Sequence, residues 1–151
     1  VAGEKDGKPS LLTDSQIAAL NSYINTIKDA GVSVQIRNEQ ADLMRIKLEV
    51  YYDPTLLSAD GVLLSSNSRP VDETVKSVIT NLPFNGVYRN TDLLAALQAL
   101  PGVDVVDIVE VKVKSRNAEA WTDVVGYNRP YSGYYEIENL EVEYKKYSAV
   151  E

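Results

Sequence analysis

Cysteine and histidine are both missing from this 151-residue chain. Thiol nucleophiles, disulfides, imidazole bases, Ser-His-Asp triads and zinc sites of the Cys/His kind therefore have no residues to draw on. The lack of cysteine does not choose a compartment; it only removes cross-links as a source of stability. Chemistry by this chain alone would fall to carboxylates, Lys, Tyr and Ser, and these show no paired catalytic spacing. The glycines show no phosphate-binding pattern. No apolar run approaches the roughly 18 residues of a membrane span, and no basic-then-apolar leader opens the chain. Positive charge is also scarce. Fifteen basic residues against 22 acidic ones give a net charge of −7, and the lysines and arginines lie scattered among carboxylates. Neither nucleic acid nor an anionic membrane is expected as a partner. The expectation is a non-enzyme with no catalytic residue, no metal and no cofactor.

What is present suits an ordinary globular domain. The chain is 44% hydrophobic and 25% charged, and a domain of this length buries roughly 68–70% of its unfolded surface. It opens on Val1 in the polar stretch VAGEKDGKPS, which predicts a flexible segment over 1–12 and a piece cut from a longer or processed protein. Thr13-Asp14-Ser15-Gln16 fits a capping box. Ile17, Leu20, Ile24 and Ile27 then form one helical stripe, expected to pack on the domain's own sheet, with Gly31 as a left-handed close. Val32, Val34 and Ile36 alternate with polar residues as a half-buried strand. After the polar turn Asn38–Asp42, the alternation from Met44 to Tyr52 predicts its antiparallel hairpin partner. Asp53-Pro54 ends that strand, and Thr55–Ser68 reads as a surface loop with a tight turn at Asp60-Gly61.

Pro70 suits the first turn of a second helix, with Ser68 as a possible N-cap and Val71, Val75, Val78, Ile79 and Leu82 as its apolar face. Pro83-Phe84-Asn85-Gly86 breaks it. Asn90 or Thr91 can cap a third helix, with Leu93, Leu94, Leu97 and Leu100 inward and Pro101-Gly102 as its stop. From Val103 to Lys114 the valines change parity twice, so either both faces are partly buried or a bulge re-aims the strand. A further strand can start over Trp121, Asp123 and Val125, and Tyr127–Gly133 reads as a loop. The closing strand alternates from Tyr135 to Tyr144 with one slip near Asn139. Lys112 and Lys114 would face Glu141 and Glu143 if those two strands pair. The sum predicts an α+β fold: an antiparallel or mixed sheet with three helices packed on it. It forms a single domain over 13–147, or two subdomains, 13–53 and 69–147, joined by the loop 54–68.

The ordered pattern LMRIKLEVYYDPTLLSADG, then RPVDETVKSVITNLPFNGVYRNTDLLAALQALPGVDVVDIVEV, resembles the C-terminal part of baseplate J-like proteins, wedge components of contractile phage tails. Asp29–Val34 and the closing Ser132-Gly133-Tyr134-Tyr135 resemble the same region. The resemblance implies a virion structural protein of a phage or prophage-derived tail, assembled in the bacterial cytoplasm. It further implies multi-copy contacts with other tail and baseplate proteins, and it offers no catalytic residues.

Ten tyrosines are unusual for this length, and several cluster near the C-terminus beside Trp121. Phe84, Trp121, Tyr127, Tyr131 and Tyr134 are the candidate interface residues, because amphipathic rings are enriched where proteins meet. The blander alternative is core and loop packing, with Phe84 as a plug over the helix ends. Asp104, Asp107 and Glu110 form the one carboxylate group that could hold a metal or act as an acid–base pair. Their mixed parity reads better as solvated strand charge. Asp53 and Asp60-Gly61 lack the spacing of a calcium loop. An alternative function is a secreted or surface module that binds glycan or peptide through its aromatic loops.

Overall fold

The computed structural model describes residues 1–6, 8–28, 31, 34, 36 and 38–147. In chain order it contains β1 (Gly3–Lys5), β2 (Lys8–Ser10), α1 (Asp14–Ile27), β3 (Asp42–Tyr52), α2 (Pro70–Thr80) and β4 (Tyr88–Arg89). There follow α3 (Asn90–Gln98), β5 (Val103–Lys114), β6 (Thr122–Asp123), β7 (Tyr127–Asn128) and β8 (Tyr135–Lys146). The fold is α+β. A four-stranded sheet in the order β6-β5-β3-β8 carries the domain, and β1-β2 and β4-β7 form two small ribbons.

β3 is central because its even-numbered residues are the most apolar row in the chain. Met44, Leu48 and Val50 have no exposed surface, and Ile46 and Tyr52 are nearly as deep. This row faces α2 and α3, which supply Val71, Val75, Ile79, Leu93 and Leu97 to the same core. The opposite face of the sheet carries Arg45, Lys47, Asp107, Glu110, Glu141 and Glu143, all exposed. The molecule is thus a two-layer sandwich with one wet sheet face.

β3 pairs antiparallel with β5 on one side and parallel with β8 on the other. With both edges of β3 occupied, the expected hairpin with 32–36 does not form; Val34 and Ile36 have no strand structure, and Val32, Ser33, Gln35 and Arg37 lie outside the described residues. Nor do β5 and β8 pair, since β3 separates them. Lys112 meets Glu110 (3.0 Å) and Asp123 (3.9 Å) instead of the β8 glutamates. Strands from both sides of the loop 54–68 thus share one sheet.

The parity changes in β5 are bulges. Glu110 lies opposite Lys47 and Ile108 opposite Leu48, which leaves Val109 as an extra residue; Asp104 is extra in the same way opposite Tyr51 and Tyr52. The slip in β8 is a third bulge, with Glu138 extra between Ile137 and Asn139. Each bulge returns the apolar residues to the core face, so that Val103, Val106, Val111 and Val113 are all buried.

Two helix expectations change. The Thr13 capping box forms as read: the Gln16 N–H donates to Thr13 Oγ1 (3.3 Å) and the Thr13 N–H to Gln16 Oε1 (2.9 Å). Yet α1 buries none of its residues, and Ile27 is 58% exposed, so its stripe is not laid on the sheet. The helix also ends at Ile27, before Gly31, although Gly31 does adopt a left-handed φ of 84°. α2 and α3 start from Arg69 and Arg89 with no side-chain cap. The Ser68 hydroxyl is used on Ser66 (2.8 Å), and Asn90 is already inside its helix. Pro70 supplies the start of α2 by its fixed φ. No described helix is long and apolar enough to cross a membrane.

Candidate functional site

The candidate surface is built where the segment 125–134 crosses the end of β3. Asp42, the first residue of β3, is buried at 4% exposure. Its carboxylate accepts from the backbone N–H groups of Tyr131 (2.7 Å) and Ser132 (3.1 Å). Its own N–H donates to Ser132 Oγ (3.0 Å) and the Tyr134 carbonyl (3.0 Å). A buried carboxylate is tolerable only when satisfied in this way. Three further ties brace the segment. Tyr135 donates from its hydroxyl to Asn128 Oδ1 (2.6 Å), the Asn90 N–H donates to the Gly126 carbonyl (2.8 Å), and the Asn85 N–H donates to the Gly133 carbonyl (2.8 Å).

Tyr127 and Tyr131 project from this braced frame at 69% and 54% exposure, next to Val125 at 86%. Phe84 and Tyr134 are half-buried on each other, ring centroids 6.3 Å apart and tilted by 42°. The Phe84 ring occupies the space a side chain on Gly133 would need, and Gly133 has a φ of 100°; only glycine fits there. The Tyr134 hydroxyl donates to the Glu39 carbonyl (3.2 Å), and burial raises its pKa above the usual tyrosine value. Trp121 lies on the wet face of the sheet. The Arg45 guanidinium sits 4.1 Å from its ring centroid and Lys114 Nζ 5.5 Å, an arrangement held by cation–π attraction. Arg45 is itself fixed by a two-pronged bond to Glu138, Nε to Oε2 (3.1 Å) and Nη2 to Oε1 (2.9 Å). That bond holds the Glu138 carboxyl below the usual carboxylate range. Of the five candidate rings, the structure brings Phe84 and Tyr134 together, leaves Tyr127 and Tyr131 outward, and places Trp121 apart.

The carboxylates take structural places. Asp104 is a bulge residue, Asp107 pairs in register with Glu49, and Glu110 bonds Lys112. No group of three or more carboxylates among the described residues is placed to hold a metal. Asp53 accepts from the Thr55 N–H (2.9 Å) and hydroxyl (2.7 Å), a turn arrangement that lowers its pKa. Around Asp60-Gly61 the Gly61 N–H donates to the Ser58 carbonyl (3.0 Å).

In the sequence Asp42 reads as the end of a polar turn, and nothing there marks it as a buried tie. Leu57 likewise reads as part of a surface loop, yet it is 1% exposed and bridged to Leu63. The available signal is a pair of apolar clusters, Leu56-Leu57 and Val62-Leu63-Leu64, on either side of Asp60-Gly61. No family model matches this chain, and no curated protein matches it.

Proposed function

We propose that this chain is a structural component of a contractile-tail baseplate, from a phage or a domesticated prophage, acting through contacts with neighbouring subunits. The observation that carries the reading is the braced segment 125–134, which holds Val125, Tyr127 and Tyr131 outward on a rigid frame. Exposed apolar and aromatic side chains on an ordered loop are what a partner surface covers, and a fixed frame lowers the entropy lost on docking. The ordered resemblance to baseplate J-like proteins supplies the assembly. In this reading the protein is a multi-copy part of the tail, put together in the bacterial cytoplasm.

The test is recovery of the full-length protein in purified tail particles by mass spectrometry. Changing Tyr127→Ser together with Tyr131→Ser should reduce its incorporation when compared at equal amounts of folded protein. A full-length protein that never enters tail particles sinks the reading. The same two tyrosines also suit a module that stacks glycans or holds peptides. Binding to an oligosaccharide array that the double variant abolishes, with no incorporation into particles, would favour that function instead.

A further inference from the structure

The last strand of the sheet has no neighbouring strand on its outer side among the described residues. Among the described residues β8 pairs with β3 and with nothing else. A strand edge presents unpaired N–H and C=O groups that template another chain, so natural proteins shorten, cover, bend or charge such edges; the glutamates of β8 repel acidic chains and admit a basic one. The opposite edge is bent by two bulges in β5, and β6 covers its end at Lys112 and Val113. β8 has a single bulge at Glu138, after which Asn139–Lys146 runs in unbroken register along β3.

Two further observations say what this edge would take. First, α2 does not fill the space beside it. Clefts of about 420 Å³ and about 490 Å³ open between α2 and the two ends of β8, the first of them also lined by Lys8 and Pro9 of β2. Ile137 lines one of them, and Leu140 and Val142 line the other, all half-buried. Glu136 and Glu143 from the opposite face also line them, so both clefts reach around the free edge. Second, the wet face beside the edge is acidic. Glu143, Glu49 and Asp107 stand in one row across the sheet, and Glu141, Lys47 and Glu110 in the next. Like charges directly opposite one another destabilise a sheet. Lys145 answers Glu49 (3.3 Å) and Lys112 answers Glu110, whereas Glu141 accepts only from the neutral Asn139 Nδ2 (3.2 Å) and neither Glu141 nor Glu143 forms a salt bridge among the described residues.

We propose that β8 is an acceptor edge for an extended segment of a different protein, in which Lys or Arg alternates with Val, Ile or Leu. Added as a fifth strand, such a segment satisfies the free backbone groups of β8. It turns its apolar residues into the clefts over α2 and sets its basic residues opposite Glu141 and Glu143. A second copy of this chain is the poorer occupant, because its own β8 would bring glutamates to glutamates and a further net charge of −7. The inference rests on reading the chain as a contact-making building block and narrows that reading to one edge and one partner chemistry.

The test uses the whole chain and a fluorescein-labelled ten-residue peptide of alternating Lys and Val, read by anisotropy, with a scrambled peptide of the same composition as control. The expected result is preferential binding of the alternating peptide, with new amide-exchange protection confined to Asn139–Lys146. Glu141→Lys with Glu143→Lys, both exposed and off the core, should weaken binding about tenfold, as two attractive cross-strand pairs become repulsive ones. Equal binding of the scrambled peptide, protection elsewhere, or protection of β8 that depends on protein concentration alone, as in self-association, would each overturn the proposal. Incorporation into tail particles is a separate measurement and stands or falls independently.

Discussion

At Asp42 a buried carboxylate meets two backbone N–H groups and ties β3 to the segment 131–132, some ninety residues away. Asp42→Asn keeps the shape but replaces one acceptor oxygen with an NH₂ group facing a donor. Leaving a buried donor unsatisfied costs about 1–3 kcal/mol, so urea unfolding should show a loss in that range, with faster amide exchange at Tyr131–Tyr134. Tyr88 presents the opposite case. Its ring has no exposed surface and packs edge-on against Tyr135 at 6.5 Å, yet its hydroxyl has no hydrogen-bond partner among the described residues. Tyr88→Phe should therefore leave stability unchanged or raise it by up to about 1 kcal/mol. Tyr135→Phe should lower it by about 1 kcal/mol, because its hydroxyl is bonded to Asn128. If both substitutions cost the same, this account of the two hydroxyls fails. The alternation of the closing strand places Tyr135 inward, as it is found, but the hydrogen bonding of these three residues is not legible in the sequence. A sequence shows that a residue is polar, but not whether distant main-chain groups will converge on it.

The bulges, by contrast, were written in the sequence at the scale of the element. The parity of Val103, Val106, Ile108, Val111 and Val113 changes at the places where β5 gains its extra residues, and Asn139 follows the third bulge in β8. The reason is physical: side chains alternate strictly, so an apolar set can stay on one face only if a residue is inserted at each phase change. Deleting Val109, which is 46% exposed, removes the extra residue and leaves Ile108 opposite Leu48 and Glu110 opposite Lys47, so Val103, Val106, Val111 and Val113 should all stay on the core face. Deleting the exposed Lys47 from β3, which has no extra residue of its own, should instead turn either Met44 and Ile46 or Leu48 and Val50 outward. Two buried aliphatic side chains are worth about 3–6 kcal/mol, enough to unfold much of the population. Equal unfolding midpoints for the two deletions would refute the bulge assignment. Periodicity says less about α1 than about β5. It identified an amphipathic stripe but not what would cover it, and the stripe is uncovered by the sheet. Leu93→Ala in α3 should thus cost about 2–5 kcal/mol, whereas Leu20→Ala in α1 should cost less than about 1 kcal/mol.

Strand pairing belongs to the whole molecule, and there the sequence misled. β3 alternates cleanly enough to show which face is buried, but alternation is silent about neighbours. Nearness in sequence points to 32–36 as the partner, while the real ones come from 103–114 and 135–146, the latter in parallel. Folding this sheet also brings three tyrosines into the apolar layer from β4 and β8. Burial raises the pKa of Tyr88 and Tyr135, and it pushes that of Tyr144 up to about 12, with the Asp72 carboxylate adding to the rise. In the unfolded chain tyrosine ionises near pH 10. A folded-state pKa above the unfolded one means that the native state binds the proton more tightly. The corresponding stability is full below about pH 10 and drains away as pH rises through the folded values. The denaturation midpoint should therefore hold steady up to about pH 10 and then fall toward pH 12, with tyrosinate absorbance from the buried rings appearing together with loss of the far-UV dichroism. The combined Tyr88→Phe and Tyr135→Phe variant should show a shallower fall, since two of the three linked protons are gone. A midpoint that stays flat through this window, or a variant as steep as the parent, would show that these rings do not set the alkaline limit of the fold.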